Sequence, residues 1–136
     1  MKTLSTQRSF KVGVVGENIS SRPPFTSADK FLRSSLIKAK LNPRKVGFYD
    51  LSDDTNDCVC LLFVGSKAGG LVSTSLSLGQ LHLHLLRGAD VLVFGTHHPS
   101  YVLRRRSLIP AFQDHLRTFA ALVDLELGWT HAKAKD

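Results

Sequence analysis

The chain reads as an α/β protein, a three-layer α/β/α sandwich around a central, mostly parallel four-stranded sheet. Four short apolar runs without polar alternation predict strands buried on both faces. Helical patterns lie among those runs, which is the order of a layered α/β domain. The length of 136 residues fits one domain, large enough to bury a core without disulfides or metal.

The predicted strands are Lys11–Val15, Val46–Leu51, Cys58–Val64 and Val91–Phe94. The first helix is expected over Asp29–Leu41, where Phe31, Leu32, Leu36 and Ile37 fall on one face. Ser27 or Asp29 would cap it, and Pro43 stands just past its end. A second candidate, Ser66–Leu76, is weakened by Gly69 and Gly70. The third, Pro110–Leu127, has Pro in its first turn, then Phe112, Leu116, Phe119, Ala120, Val123 and Leu127, and closes at Gly128. Leu81–Leu85 alternates Leu and His and suits either a short extra strand or part of a helix. The domain is thus expected over residues 11–128, with an extension at 1–10 and a frayed tail at 129–136.

Hydrophobic residues make up 43% and charged residues 21% of the chain, which excludes a disordered protein. The net charge of +7 makes nucleic acid the leading macromolecular partner, because Lys and Arg neutralise phosphate. Residues 1–10 lack the apolar stretch of a signal peptide, and no run approaches a membrane span. A cytoplasmic, nucleoid or nuclear protein, not secreted and without a membrane partner, is expected. Cys58 and Cys60, the two cysteines, read as small buried hydrophobes. On a regular strand their spacing would put both thiols on one side. No further cysteine stands by to complete a metal site.

In parallel sheets, ligands bind at the carboxyl ends of strands, so the loops there matter most. The first runs Gly16-Glu17-Asn18-Ile19-Ser20-Ser21-Arg22-Pro23-Pro24-Phe25. Its glycine permits close backbone approach, and the double proline fixes the presentation of Phe25. The last runs Thr96-His97-His98-Pro99-Ser100-Tyr101-Val102-Leu103-Arg104-Arg105-Arg106. An apolar segment followed by three arginines has the composition of a wedge into a base stack flanked by phosphate-binding cations. A plain strand-to-helix connection and a solvated charge run are the alternatives.

Together these loops resemble the uracil-DNA glycosylase superfamily, nearest to its iron–sulfur type (family four). There a strand runs into Thr, an aromatic, then His-Pro-Ser-aromatic-Leu-Leu-Arg, matched here by Thr96 to Arg104. That family's Gly-Glu-x-Pro-Gly loop and its Gly-Arg-Pro-Phe correspond to Gly16–Ser20 and Ser21–Phe25. Leu61-Leu62-Phe63-Val64-Gly65 stands where the family has an apolar strand ending in Gly. The likeness spans roughly Lys11 to Leu127. The departures are specific: Ile19-Ser20 replaces Pro-Gly, the four cluster cysteines are absent, and the chain is shorter. The family's uracil-reading Asn falls on Asp50.

The resemblance implies a monofunctional DNA glycosylase, which hydrolyses the N-glycosidic bond of uracil or a related modified or damaged base flipped out of DNA. No cofactor is expected, and the protein would act as a monomer on single- or double-stranded DNA. His98 would donate to the base oxygen that gains negative charge, a contact worth about 3–4 kcal/mol in comparable oxyanion sites. Glu17, or Asn18 beside it, would position the water. Gly16, Phe25 and Asp50 would form the base pocket, with Phe25 stacking on the base. Ser100 and Arg104, Arg105 and Arg106 would meet the DNA backbone, with Tyr101 or Leu103 as the wedge. An ionised Asp50 presents only acceptors, which suits a cytosine-type amine better than uracil; a turn role beside Ser52, Asp53 and Asp54 is the alternative. Two other functions compete: a DNA-binding accessory protein without turnover, and a metal-dependent hydrolase using His82, His84, His97 and His98.

Overall fold

The computed structural model describes residues 10–55, 57–65, 67, 81–86 and 89–128. It is an α/β fold. Strands β1 (Val12–Gly16), β2 (Val46–Tyr49), β3 (Cys60–Val64), β4 (Leu81–Leu86) and β5 (Ala89–Thr96) form one sheet in the order β2-β1-β3-β5-β4. The four predicted strands are all mutually parallel, and β4 adds a fifth, antiparallel to β5 along the edge. The Leu/His alternation therefore belongs to a strand. Ala89–Thr96 is longer than the apolar run that predicted it, since pairing with β4 extends it at the start and pairing with β3 at the end.

Helix α1 spans Ser27–Lys38, and its cap is Thr26 rather than Ser27 or Asp29. Asp29 occupies the third helical position and completes a capping box: the Thr26 hydroxyl accepts from Asp29 N–H while the Asp29 carboxylate accepts from Thr26 N–H. After a 3-10 turn at Pro43–Lys45 comes β2. Helix α2 (Pro99–Arg104) leads through a 3-10 turn at Arg106–Leu108 into α3 (Ile109–Leu127), which Gly128 ends in the left-handed conformation. Among the described residues, no helix is long and apolar enough to cross a membrane.

One sheet face meets α1, α2 and α3. Val12, Val14, Leu62, Val64 and Phe94 pack there with Leu32 and Leu36 of α1, Val102 of α2, and Phe112, Leu116, Phe119 and Val123 of α3. Each such buried side chain contributes about 1.5–3 kcal/mol of transfer free energy. Phe31 stacks on Phe112 with ring centroids 5.4 Å apart, joining α1 to α3. The opposite face buries Val15, Leu61, Phe63, Val91 and Val93, so the sheet is central, as its apolar runs predict. Apart from helical Lys67, the helix expected over Ser66–Leu76 lies outside the described residues, as do the extension at 1–9 and the tail at 129–136.

Both cysteines are buried, as expected, but the shared side expected from a regular strand is corrected. Cys60 packs in the first cluster and Cys58 in the second, on opposite faces. The cause is a bulge: Val59 N–H and Cys60 N–H both donate to Lys11 C=O, at 2.7 and 3.1 Å. One extra residue inverts the side-chain alternation, and regular β3 begins only at Cys60. Burial pushes the Cys60 thiol up to about 12.

Candidate functional site

From β1 the chain moves to β2 on one side and later to β3 on the other, so the carboxyl ends of β1 and β3 flank a switch point of the sheet. Open α/β sheets hold ligands at such a crevice. Three connections meet here, those after β1, β3 and β5.

Gly16 ends β1 against β3, and a Cβ on it would overlap the Val64 side chain. The chain then turns through half-buried Glu17 and exposed Asn18, whose φ of 58° is left-handed, a conformation Asn tolerates better than most residues. Ile19 is buried in the core. It therefore anchors the loop by packing at the place where the resembled family has Pro-Gly. The Ser20 peptide is held from both sides: its N–H donates to Asp29 Oδ1 at 3.1 Å, and its C=O accepts from Arg33 Nη2 at 2.9 Å. Asp29 is fully buried. Burial alone would raise its pKa, but hydrogen bonds from the Ser20 and Thr26 backbone and the Thr26 hydroxyl outweigh it, and its carboxyl is held below the usual range.

Arg33 also closes the corner of this loop. Its guanidinium lies between two rings, 3.9 Å from the Phe25 centroid and 4.0 Å from that of Phe48 on β2. Burial lowers its pKa while Asp29 opposes that shift. Arg33 Nη1 is buried with no hydrogen-bond partner.

His98 joins the first loop to the last. It caps α2, and its Nδ1 accepts from Ser100 N–H at 3.1 Å and lies 2.8 Å from Ser100 Oγ. With Nδ1 accepting, the proton sits on Nε2, which donates to Glu17 C=O at 2.6 Å. Gly65, at φ +94°, brings the end of β3 beneath this imidazole; a Cβ there would lie 3.3 Å from His98 Cβ. Gly65 N–H donates to Thr96 C=O at 2.9 Å. Just beyond, Lys67 Nζ reaches Glu17 Oε2 at 3.1 Å, an exposed pair worth at most about 1 kcal/mol.

His97 faces elsewhere. Its ring stacks on His115 of α3 with centroids 6.0 Å apart and lies 5.9 Å from the Tyr101 ring. His115 Nδ1 is 2.8 Å from the buried Thr96 hydroxyl. Burial lowers both histidines; His97 lowers His115 further, and Asp114 partly offsets this.

The structure thus brings Gly16, Glu17, Asn18, His98 and Ser100 together, with Phe25 held at the far end of the same loop. Asp50 is elsewhere. It is exposed beyond β2 in a turn of its own, where its N–H donates to Asp53 Oδ2 at 2.7 Å and its C=O accepts from Asp53 N–H at 3.1 Å. That is the turn role, beside an edge-ward strand of the parallel set. Along α2, Tyr101 is exposed, Val102 fully buried and Leu103 half-buried; Arg104, Arg105 and Arg106 all face solvent. As residues of the site, Lys67, Asp29 and Arg33 were not expected from the sequence. Asp29 was legible only as a cap, and Arg33 carries no local pattern of its own. Among the described residues, no three His, Cys, Asp or Glu side chains gather in a way that could hold a metal ion.

Fold and site define a parallel α/β domain whose polar groups converge on the switch point between β1 and β3. No family model matches the chain, and neither does any curated protein.

Proposed function

We propose that the protein is a monofunctional DNA glycosylase acting on uracil or a related base flipped out of DNA. One observation supports it above the rest: the His98 Nε2–H is aimed at the β1 loop, so the two segments that carry the resemblance meet through the atom that would do the chemistry. In the reaction the bond from C1′ to the base nitrogen breaks, and its electron pair leaves with the base. His98 Nε2–H, released from Glu17 C=O, would donate to the base oxygen that takes up this charge. The Glu17 carboxylate would hold the water that adds to C1′ and accept its proton. Its side chain keeps solvent access, with Lys67 Nζ 3.1 Å from Oε2. Phe25 would stack on the base, and the exposed Arg104–Arg106 run would neutralise phosphates beside Tyr101.

The test uses oligonucleotides bearing uracil, hydroxymethyluracil, hypoxanthine or modified cytosines, incubated with the protein and then cleaved at abasic sites with alkali. Strand cleavage for at least one base is expected; tight binding with no abasic sites on any of them overturns the reading. Binding without turnover is the second reading, and one observation favours it. The hydrogen needed on the base is already bonded to Glu17 C=O.

A further inference from the structure

We infer that Arg33 sets the preference of this site for a base that leaves as an anion, acting through the Phe25 ring. The inference rests on the glycosylase reading and deepens it. An aromatic face carries negative electrostatic potential, so a base gaining negative charge while stacked on a bare phenyl ring is repelled by it. A cation on the far face of that ring reverses the balance. Arg33 occupies that position, with Cζ 3.9 Å from the Phe25 centroid, and Phe25 keeps part of its surface open.

Two further observations give the cation its strength at this place. Phe48 covers the other side of the guanidinium at 4.0 Å, so the charge sits between rings and is poorly screened by water. Nη1 is buried without a hydrogen-bond partner, so the charge is incompletely compensated by the protein. Asp29, four residues earlier on the same helix, offsets part of this charge from a distance, while its own hydrogen bonds go to Ser20 and Thr26. A base in van der Waals contact with the open face would lie about 3.5–4 Å beyond the ring. At the resulting separation, and in a partly desolvated site, a developing negative charge gains on the order of tenfold in rate. A neutral ground-state base gains far less. Arg33 is therefore a positioning residue; it touches the ring and not the base.

The experiment compares single-turnover release of uracil and 5-fluorouracil from otherwise identical DNA by wild type, Arg33→Met and Arg33→Lys. The halogen makes the departing base a better leaving group at nearly constant size, so it depends less on outside stabilisation. Met keeps an unbranched side chain able to pack between rings and removes the charge. Arg33→Met should lose on the order of tenfold on uracil and clearly less on 5-fluorouracil, and Arg33→Lys should keep the wild-type ratio of the two rates. A structural role alone would slow both bases equally, and equal losses overturn the inference. Should Arg33→Met lose its circular-dichroism signature, Arg33→Lys decides: a ratio shifted toward 5-fluorouracil despite the retained charge also overturns it. Release of neither base by the wild type overturns this inference, whereas the glycosylase reading itself falls only if the wider panel of bases also yields no abasic sites.

Discussion

The loops after β1 and β2 leave parallel strands at the same end of the sheet, and each begins with a carboxylate, Glu17 in one and Asp50 in the other. They end up in different chemistry. The β1 loop is bonded to α1 through Asp29 and Arg33, to α2 through His98, and to the end of β3 through Lys67. In the β2 loop Asp50 bonds locally to Asp53 and Cys58 N–H to Thr55 C=O, before Val59 N–H joins the ladder at Lys11 C=O. Strand order makes the difference: β1 stands between β2 and β3, while β2 lies at the rim. A carboxylate at a strand end is thus no guide to a site until the strand's place in the sheet is known.

The strongest test of the contrast is His98→Ala. It should lower single-turnover base release by two to three orders of magnitude, on the order of 3–4 kcal/mol, with little change in DNA affinity. An equal loss for His97→Ala and none for His98→Ala would sink the assignment. Next in size is Asp29→Ala, expected to cost about 2–3 kcal/mol in urea unfolding because it removes a cap and leaves buried donors unpaired. Asp53→Ala, its exposed counterpart in the β2 turn, should cost no more than about 1 kcal/mol; equal costs would erase the contrast.

Acid should weaken the protein in two windows. His97 and His115 have pKa values lowered in the fold, so below the unfolded value of about 6.5 the unfolded chain binds more protons. Their share of stability is complete above that pH and lost as pH falls through their folded values, at up to about 1.4 kcal/mol per pH unit for each. Asp29 follows the same sign lower down, its share present above about 3.9 and lost as pH falls through its lowered value. Unfolding measured from pH 7 to 5 should show the first decline, and His115→Phe should flatten it; an unchanged slope would refute the account.

A smaller effect is expected from replacing Arg104, Arg105 and Arg106 together by Ala. The salt slope of DNA binding should fall by about 0.7–0.9 per lost phosphate contact, and an unchanged slope would leave the run a solvated face. Smallest of all is Asp50→Asn. From the sequence it should raise activity on uracil; from the turn it occupies, release should stay within about twofold, a free-energy change under 1 kcal/mol. A clear gain on uracil would bring Asp50 back to the pocket.

The fold was largely legible because its cues are local. Apolar runs marked the parallel strands, and the Pro110–Leu127 pattern matched α3 to within one residue. The β1 loop and His98 were legible as segments, through resemblance. What joins them was not. Lys67 meets Glu17 across fifty positions of chain, and Arg33 reads as an ordinary polar residue of an amphipathic helix until Phe48 and Phe25 close on it. The bulge was hidden too, since a spacing rule assumes an unbroken period and one shared carbonyl breaks it.

That bulge gives the molecule two separate reporters. With Cys58 and Cys60 on opposite faces, an intramolecular disulfide would have to pass through the sheet, so oxidation cannot staple this segment while it stays folded. Cys58 Sγ lies 3.7 Å from the Tyr49 hydroxyl on one side, and Cys60 is sealed beneath the helices on the other. Thiolate is the form that alkylating reagents attack, and a thiol held near 12 offers almost none until it is uncovered. Labelling Cys60 would therefore clock the lifting of the helical layer, and labelling Cys58 the opening of the opposite face. Single Cys→Ser variants read each clock alone.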